Sequence, residues 1–256
     1  MKIVKGILMA VGLVYLISVP FYFSHATNMM RCNGIRIFIS DSSDYNLVTP
    51  DDISRLVTGE RKVLGSAIRE IPVTDIEKTI SRLPELRSAE VYFTIDGKLN
   101  IYADQRDPIM RLMVGGGDYF VDDEGYVIRR RKLNTPRLHV VTGNIRVTSQ
   151  MLNGISVLDT LVRNSILKDI YSLVTFLRSD RFWSAQIDQI YVDTDDEIDL
   201  IPRLGSNTIH LGSIENMEDK FNNLEALYRE VLPEVGWNYY SRISLEFRDQ
   251  IVCKRR

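Results

Sequence analysis

The sequence contains few of the side chains that build metal, redox or catalytic sites. Its 256 residues include two cysteines and three histidines. The cysteines, Cys32 and Cys253, form no Cys-x-x-Cys motif, so neither a thiol-redox centre nor a cysteine zinc site is indicated. An exported domain could join them in a disulfide, or they could be independent thiols. The histidines, His25, His139 and His210, lack metal-ligand spacing, and solvated or core roles are favoured for all three.

Motifs for nucleotide, calcium or ester chemistry are also missing. No Gly-x-x-x-x-Gly-Lys-Ser/Thr loop and no Gly-x-Ser-x-Gly elbow occurs. A calcium loop starting at Asp193 would need Gly and Glu where Ile198 and Leu204 stand, so a polar turn is predicted there. The basic stretch Arg129–Lys132 could bind an anionic headgroup or polymer, although a solvated loop is favoured. We therefore predict no catalytic site, cofactor, metal or small-molecule substrate.

Charge and hydrophobicity set the broad class of the protein. The chain has 32 Lys and Arg against 34 Asp and Glu, a balance that gives no broad positive field for nucleic acid. Hydrophobic residues make up 45% of the chain, enough for a folded core and unlike a disordered tail. A folded protein that does not bind nucleic acid is expected.

One long apolar run stands at the N-terminus. Gly6–Phe23 has no charged residue and follows Lys2 and Lys5. A helix of about 20 residues crosses a bilayer core of ~30 Å, so this run is predicted to be a single transmembrane helix. The lysines place residues 1–5 in the cytoplasm and the remainder across the membrane. A cleaved signal peptide is the alternative, because Ser24-His25-Ala26 resembles a cleavage site.

A compact α+β module is predicted between residues 34 and 105. The helix at Pro50 has Thr49 as its N-cap, and Thr74 with Glu77 forms the capping box of a second helix. Asp96-Gly97 supplies the positive φ angles of a tight hairpin turn. The predicted order is strand Ile35–Ile39, the two helices, strand Ala89–Ile95 with Val91, Phe93 and Ile95 on one side, and the return strand Leu99–Ala103.

The segment from 107 to 256 is predicted to be rich in β-strands. Its helices are Asp159–Arg178 and Asn216–Leu232, the second stopped by Pro233. A final strand covers Arg242–Arg248 and could continue through Ile251–Cys253. The other predicted strands are Ile109–Val114, Tyr119–Val121, Tyr126–Ile128, Leu138–Val141, Gln186–Val192, Ile198–Pro202 and Thr208–Leu211.

These features, in this order, resemble the bacterial cell-division family FtsQ, called DivIB in Gram-positive species. Leu83–Val91 is similar to the family's entry to its hairpin, and Leu99–Ile109 to the strand that runs into an acid/Arg-x-Pro junction. Phe120–Val127 resembles the family's Val-Asp-x-x-Gly hairpin. Ile209–Gly212 followed by Lys220–Leu224 resembles its strand-to-helix passage. The resemblance covers nearly the whole chain.

The resemblance implies an α+β fold with one N-terminal transmembrane helix at 6–23. A POTRA domain of β-α-α-β-β order would occupy 34–105, and a β-rich domain 107–256. It also implies a non-enzymatic scaffold of the division septum, single-pass in the bacterial inner membrane, with both domains extracytoplasmic. The expected partners are membrane proteins of the FtsB and FtsL type.

In the family the last strand of the β domain accepts a partner strand at its edge. The corresponding edge residues here are Arg242, Ile243, Ser244, Leu245, Glu246, Phe247, Ile251 and Val252. Phe247 would be the aromatic anchor, with the helix Asn216–Leu232 lining one side. The family often has Asp-Leu-Arg-Tyr where this chain has Ser244–Phe247, so both charges differ. The plainer alternative is that this strand only closes the sheet.

Two other classes of function stay open. An anchored periplasmic cell-wall enzyme would need a nucleophile or metal spacing, which the sequence lacks. A POTRA-type chaperone of membrane-protein assembly usually carries several POTRA repeats, and no repeat occurs here. The division scaffold is the preferred hypothesis.

Overall fold

The computed structural model describes residues 12–18, 30–40, 46–59, 62–130, 137–162, 165–247 and 250–256. Residues 12–18 are helical with exposed side chains, and the rest of the predicted span lies outside the described residues. Within these ranges no helix is both long and apolar enough to cross a membrane. Also outside them are residues 1–5, the possible cleavage site at 24–26, most of the loop 40–46, and positions 131–132 and 248.

The chain forms two compact units, the first ending at Gln105 and the second beginning at Arg106. The first unit has a three-stranded sheet in the order β1-β3-β2, with β1 parallel and β2 antiparallel to β3. This confirms the predicted order of strand, two helices and two strands. The elements are β1 (Gly34–Ser40), α1 (Pro50–Gly59), a 3₁₀ turn (Ile68–Glu70), α2 (Val73–Ser81), β2 (Leu86–Phe93) and β3 (Lys98–Gln105).

The two helices of the first unit begin in different ways. Thr49 and Asp52 cap α1 reciprocally, with the Thr49 amide 2.9 Å from Asp52 Oδ2 and the Asp52 amide 3.3 Å from Thr49 Oγ1. The capping box predicted for α2 is wrong, since α2 begins after Pro72 without a side-chain cap. Glu77 Oε2 instead accepts the backbone N–H of Val91 at 3.1 Å. A free amide of the edge strand β2 therefore takes the carboxylate that the capping box would have used.

The hairpin between β2 and β3 has a longer turn than predicted. Gly97 has φ +79°, while Asp96 does not take a positive φ. Thr94 closes the turn, since its carbonyl accepts from the Gly97 amide at 2.9 Å and its amide donates to the Lys98 carbonyl at 3.0 Å. Ile95, predicted to share the inner face with Val91, lies in this turn and is 95% exposed. Leu99, Ile101 and Ala103 are buried as predicted.

The second unit is built on a nine-stranded sheet in the order β12-β11-β10-β9-β8-β7-β4-β5-β6. Strands β4, β7 and β8 run parallel, as do β10 and β11, and the other neighbours are antiparallel. The strands are β4 (Pro108–Val114), β5 (Gly117–Asp122), β6 (Val127–Arg129), β7 (His139–Gly143), β8 (Ile187–Val192), β9 (Ile198–Pro202), β10 (Thr208–Gly212), β11 (Tyr240–Ser244) and β12 (Val252–Arg255).

The first long helix of the second unit starts later than predicted. It is α4 (Ile166–Ser179), and the Ser165 hydroxyl caps it. The predicted start at Asp159 is wrong, because Asp159 Oδ1 accepts the amide of Leu161 at 2.9 Å in a local turn. That turn gives the backbone an alternative to the helix. Two shorter helices flank α4, namely α3 (Ser149–Leu152) and α5 (Arg181–Gln186).

The last helical segment continues past the predicted stop. It consists of α6 (Met217–Ala226), a π turn (Leu227–Val231) and α7 (Leu232–Val235). Pro233 does not end the segment, because it lies in the first turn of α7, where a missing N–H costs nothing. The helix therefore ends at Val235, before Gly236 with φ +95°.

An aromatic cluster fixes these helices on the sheet. The Trp183 ring lies edge-on to Phe221 and Tyr228, with centroids 5.1 and 5.5 Å apart. Phe176 of α4 packs on Phe221 at 5.0 Å. Such pairs add about 0.5–1.5 kcal/mol each beyond area burial. The cluster therefore holds α4, α5 and α6 together above the sheet.

A buried ion pair lies at the start of the second unit. The Asp122 side chain is fully buried and accepts Arg106 Nη1 at 2.7 Å and the Tyr126 amide at 2.6 Å. The Arg106 guanidinium lies 4.1 Å from the centre of the Tyr126 ring and also contacts Glu124 at 3.0 Å. Burial raises the pKa of Asp122, and Arg106 opposes that shift. The residues of the family-like Val-Asp-x-x-Gly hairpin therefore have a structural role, because Asp122 holds the hairpin together and binds it to Arg106.

Candidate partner-binding edge

The outermost strand of the nine-stranded sheet at its C-terminal end is β12. Strand β11 lies inside it, paired in parallel with β10 and antiparallel with β12. The predicted edge, Arg242–Phe247 with Ile251–Val252, is therefore divided: β11 is an inner strand, and Val252 is the one predicted residue that lies in the outermost strand. Val252–Arg255 forms one more strand beyond β11, antiparallel to it, and takes up its open side. Among the described residues, β12 has no strand on its outer side.

The predicted edge residues fall into two groups. Ile243 and Leu245 are buried in the core, so their side chains are closed to a partner. The accessible members are Phe247 and Val252, each 47% exposed, and the charged Arg242 and Glu246. Ser244 and Ile251 are half-buried. The structure thus brings part of the predicted set to the surface beside β12.

Strand β11 is held firmly against the core. Ile243 pairs with Ile209 of β10 on one side and with Cys253 of β12 on the other. The pairing with β10 continues past the strand, where the Leu245 amide donates to the His210 carbonyl at 2.8 Å. A rigid inner strand keeps the edge strand in a fixed position. Cys253 and Cys32 are both free thiols.

The edge strand itself is basic and exposed. Lys254, Arg255 and the adjacent Arg256 are exposed, and the Arg255 guanidinium lies 5.5 Å from the ring centre of Tyr239. Arg256 Nη2 donates to the Ser206 carbonyl at 2.7 Å, which ties the terminus to the fold. Lysine and arginine on an edge strand discourage non-specific strand pairing and favour acidic segments. The prediction missed Lys254 and Arg255, although a basic run after an apolar strand is the pattern of a protected edge.

Polar groups around His210 form a closed network. His210 Nδ1 lies 2.7 Å from Asp199 Oδ1, and Arg242 Nη2 lies 3.6 Å from the same oxygen. The described residues contain no group of His, Cys, Asp and Glu side chains that could hold a metal ion. Arg242 is therefore partly engaged by the sheet rather than free for a partner.

Comparison with known families decides the identity of this fold. A family model described as FtsQ/DivIB, C-terminal related, matches residues 107–254, more than half of the chain. The chain belongs to the FtsQ/DivIB family. A model of a POTRA-like domain matches residues 30–104. No curated protein matches the sequence. FtsQ/DivIB domains are cell-division modules, and proteins of these two families are generally non-enzymatic.

The strand-to-helix passage that resembles FtsQ/DivIB sequences has a clear structural role. Gly212 ends β10 with φ +68°, a conformation that favours glycine. Lys220 of α6 reaches back, and its Nζ donates to the carbonyls of Leu211 and Ser213, each at 2.8 Å. Burial lowers the pKa of Lys220, while nearby Glu215 and Glu246 oppose the shift. The family-like lysine therefore fixes α6 beside the end of β10.

Proposed function

We propose that this protein is a membrane-anchored, non-enzymatic scaffold of the division septum, whose β12 edge accepts an extended segment of a partner protein. The partner would be a membrane protein of the FtsB or FtsL type. The observation that carries the proposal is the position of β12 at the end of the sheet, with an exposed row of side chains. Such an edge offers backbone N–H and C=O groups to an incoming strand.

Side chains near the edge would determine which partner binds. Val252 and Phe247 offer apolar contact, and exposed aromatic residues often anchor interfaces. Lys254 and Arg255 would select a segment with acidic residues and speed its approach. We therefore expect a partner strand that alternates apolar and acidic positions.

Membrane anchoring would make a modest affinity sufficient. If Gly6–Phe23 spans the membrane, both partners share a thin layer, and their effective concentration is high. The POTRA-like unit would then lie on the same side of the membrane and serve other contacts of the division machinery.

A pull-down of FtsB- and FtsL-type proteins on the full chain tests the proposal. Val252→Asp and Phe247→Asp place a negative charge on positions that are 47% exposed, so we expect both variants to keep their fold, which urea unfolding checks. We expect each to lose at least tenfold in partner capture, and Lys254→Glu to weaken it by charge reversal. Leu161→Asp, at a 69% exposed position outside the edge, is the matched control.

Two results would contradict the proposal. One is equal capture by Val252→Asp and Leu161→Asp. The other is normal septation in cells depleted of the protein, because loss of a division scaffold should produce filaments.

A further inference from the structure

A pocket of about 410 Å³ lies in the second unit where three parallel strands begin. Its floor includes Ile109 of β4, His139 of β7 and Ile187 of β8. Because β4, β7 and β8 run parallel, their first residues meet at the same end of the sheet. Ligand pockets have volumes of about 300–1,000 Å³, so this one is large enough for a small molecule or a headgroup.

The wall of the pocket is strongly positive. Four arginines line it: Arg137 before β7, Arg178 near the end of α4, Arg181 at the start of α5 and Arg203 after β9. Asp188 is the single carboxylate of the lining, and it bonds to Arg203 Nη2 at 2.7 Å. Within the described parts of the chain, no carboxylate forms an ion pair with the other three arginines. We call this feature the arginine pocket.

The arginines of the pocket differ from others in the same unit. Arg106 and Arg111 each bond to an aspartate at 2.7–2.9 Å, and Arg111 does so through two nitrogens. The chain as a whole carries a net charge of −2. A concentration of unpaired positive charge in such a chain repels itself, and a bound anion would relieve that repulsion.

The chemistry of the lining indicates which anion fits. A guanidinium fork matches the oxygens of a phosphate, with two parallel hydrogen bonds. Ser184 adds a hydroxyl to the wall. We propose that the arginine pocket binds the phosphate or diphosphate group of a ligand. Nothing in the strand-edge function requires this site, so the two proposals stand or fall separately.

His139 provides a reporter inside the pocket. Its Nδ1 lies 2.9 Å from the Ile187 carbonyl and donates to it in the neutral ring. Burial lowers the pKa of His139, and the charges of Arg178 and Arg203 lower it further, while the bond to the Ile187 carbonyl and the charge of Asp188 oppose them. A bound phosphate would stabilise the imidazolium, so the pKa of His139 should rise when the site fills.

Titration of the full chain with inorganic pyrophosphate tests the site. Calorimetry should show saturable binding, and NMR should show the His139 signal, assigned with His139→Gln, titrating at higher pH. The double variant Arg178→Gln/Arg181→Gln should bind at least tenfold more weakly. Arg178→Lys/Arg181→Lys should recover part of the affinity, because it keeps the charge and loses the fork. Arg146→Gln, an exposed arginine outside the pocket, is the matched control.

The diphosphate could belong to a lipid headgroup or to a soluble compound, and a short-chain prenyl diphosphate distinguishes these two sources. Tighter binding of the prenyl compound than of pyrophosphate assigns the group to a lipid, whose chain also contacts the apolar side chains of the floor. Equal binding assigns a soluble diphosphate. The proposal is overturned if wild-type protein shows no saturable binding of either compound. It is also overturned if the double variant, with an unchanged unfolding transition, binds as well as Arg146→Gln.

Discussion

Replacing Arg106 with methionine should destabilise the second unit more than most surface changes could. The Asp122 carboxylate is fully buried, and among the described residues Arg106 is the one cation that forms an ion pair with it, at 2.7 Å. Breaking a buried pair by removing one partner costs about 3–5 kcal/mol, because the other charge is left uncompensated. Loss of the contact with the Tyr126 ring adds about 0.5–1 kcal/mol.

Urea unfolding followed by tryptophan fluorescence measures this effect in the second unit alone. Both tryptophans of the chain, Trp183 and Trp237, lie in that unit. With a slope of about 1–3 kcal/mol per molar urea, a loss of about 3–5 kcal/mol lowers the midpoint by roughly 1–5 M. Arg146→Met, at an exposed site, should stay within about 0.5 kcal/mol of wild type.

The pH dependence gives the same prediction a second test. Burial already raises the pKa of Asp122, so ionisation of this group costs stability above its folded-state pKa. Without Arg106 that pKa rises further, and the penalty is relieved as the pH falls through it. The stability difference between Arg106→Met and wild type should therefore shrink as the pH falls through this raised pKa. A loss below about 1 kcal/mol, or one independent of pH, would refute the ion-pair argument.

Two further predictions concern single polar side chains. Lys220→Met keeps the stem but leaves the carbonyls of Leu211 and Ser213 without their donor, so urea unfolding should show a loss of about 1–3 kcal/mol. Hydrogen bonds from Arg111 lower the pKa of Asp118, so its stabilisation is present above pH ~4 and lost as the pH falls through the folded-state pKa. Asp118→Asn should therefore lose about 1–2 kcal/mol at pH 7 and match wild type in acid.

Much of the first unit could be predicted from local signals. The Thr49 cap and the alternation from Leu99 to Ala103 each depend on neighbouring residues, and both are confirmed. Glu77 does not cap α2 as predicted, because its partner, the Val91 amide, comes from a strand that only the tertiary fold brings near. Local patterns identify an element, and distant partners decide where its polar groups bond.

The edge of the second sheet shows the same limit more sharply. The apolar pattern around Ile243 and Leu245 correctly indicated a strand, but an alternating pattern does not tell an inner strand from an outer one. The sequence predicts one final strand that could continue through Ile251–Cys253, whereas the structure has two strands, and Val252–Arg255 becomes the edge by pairing with β11. The arginine pocket could not be predicted from the sequence, since its arginines come from α4, from α5 and from the segments beside β7 and β9.

Backbone hydrogen exchange of the full chain, with and without an FtsB- or FtsL-type segment, tests the central claim most directly. If the segment pairs with β12, the amides on the outer side of Val252–Arg255 should slow by at least tenfold, and those of β6, at the opposite end of the sheet, should not change. If the segment binds and the exchange rates of the β12 amides do not change, the account is contradicted.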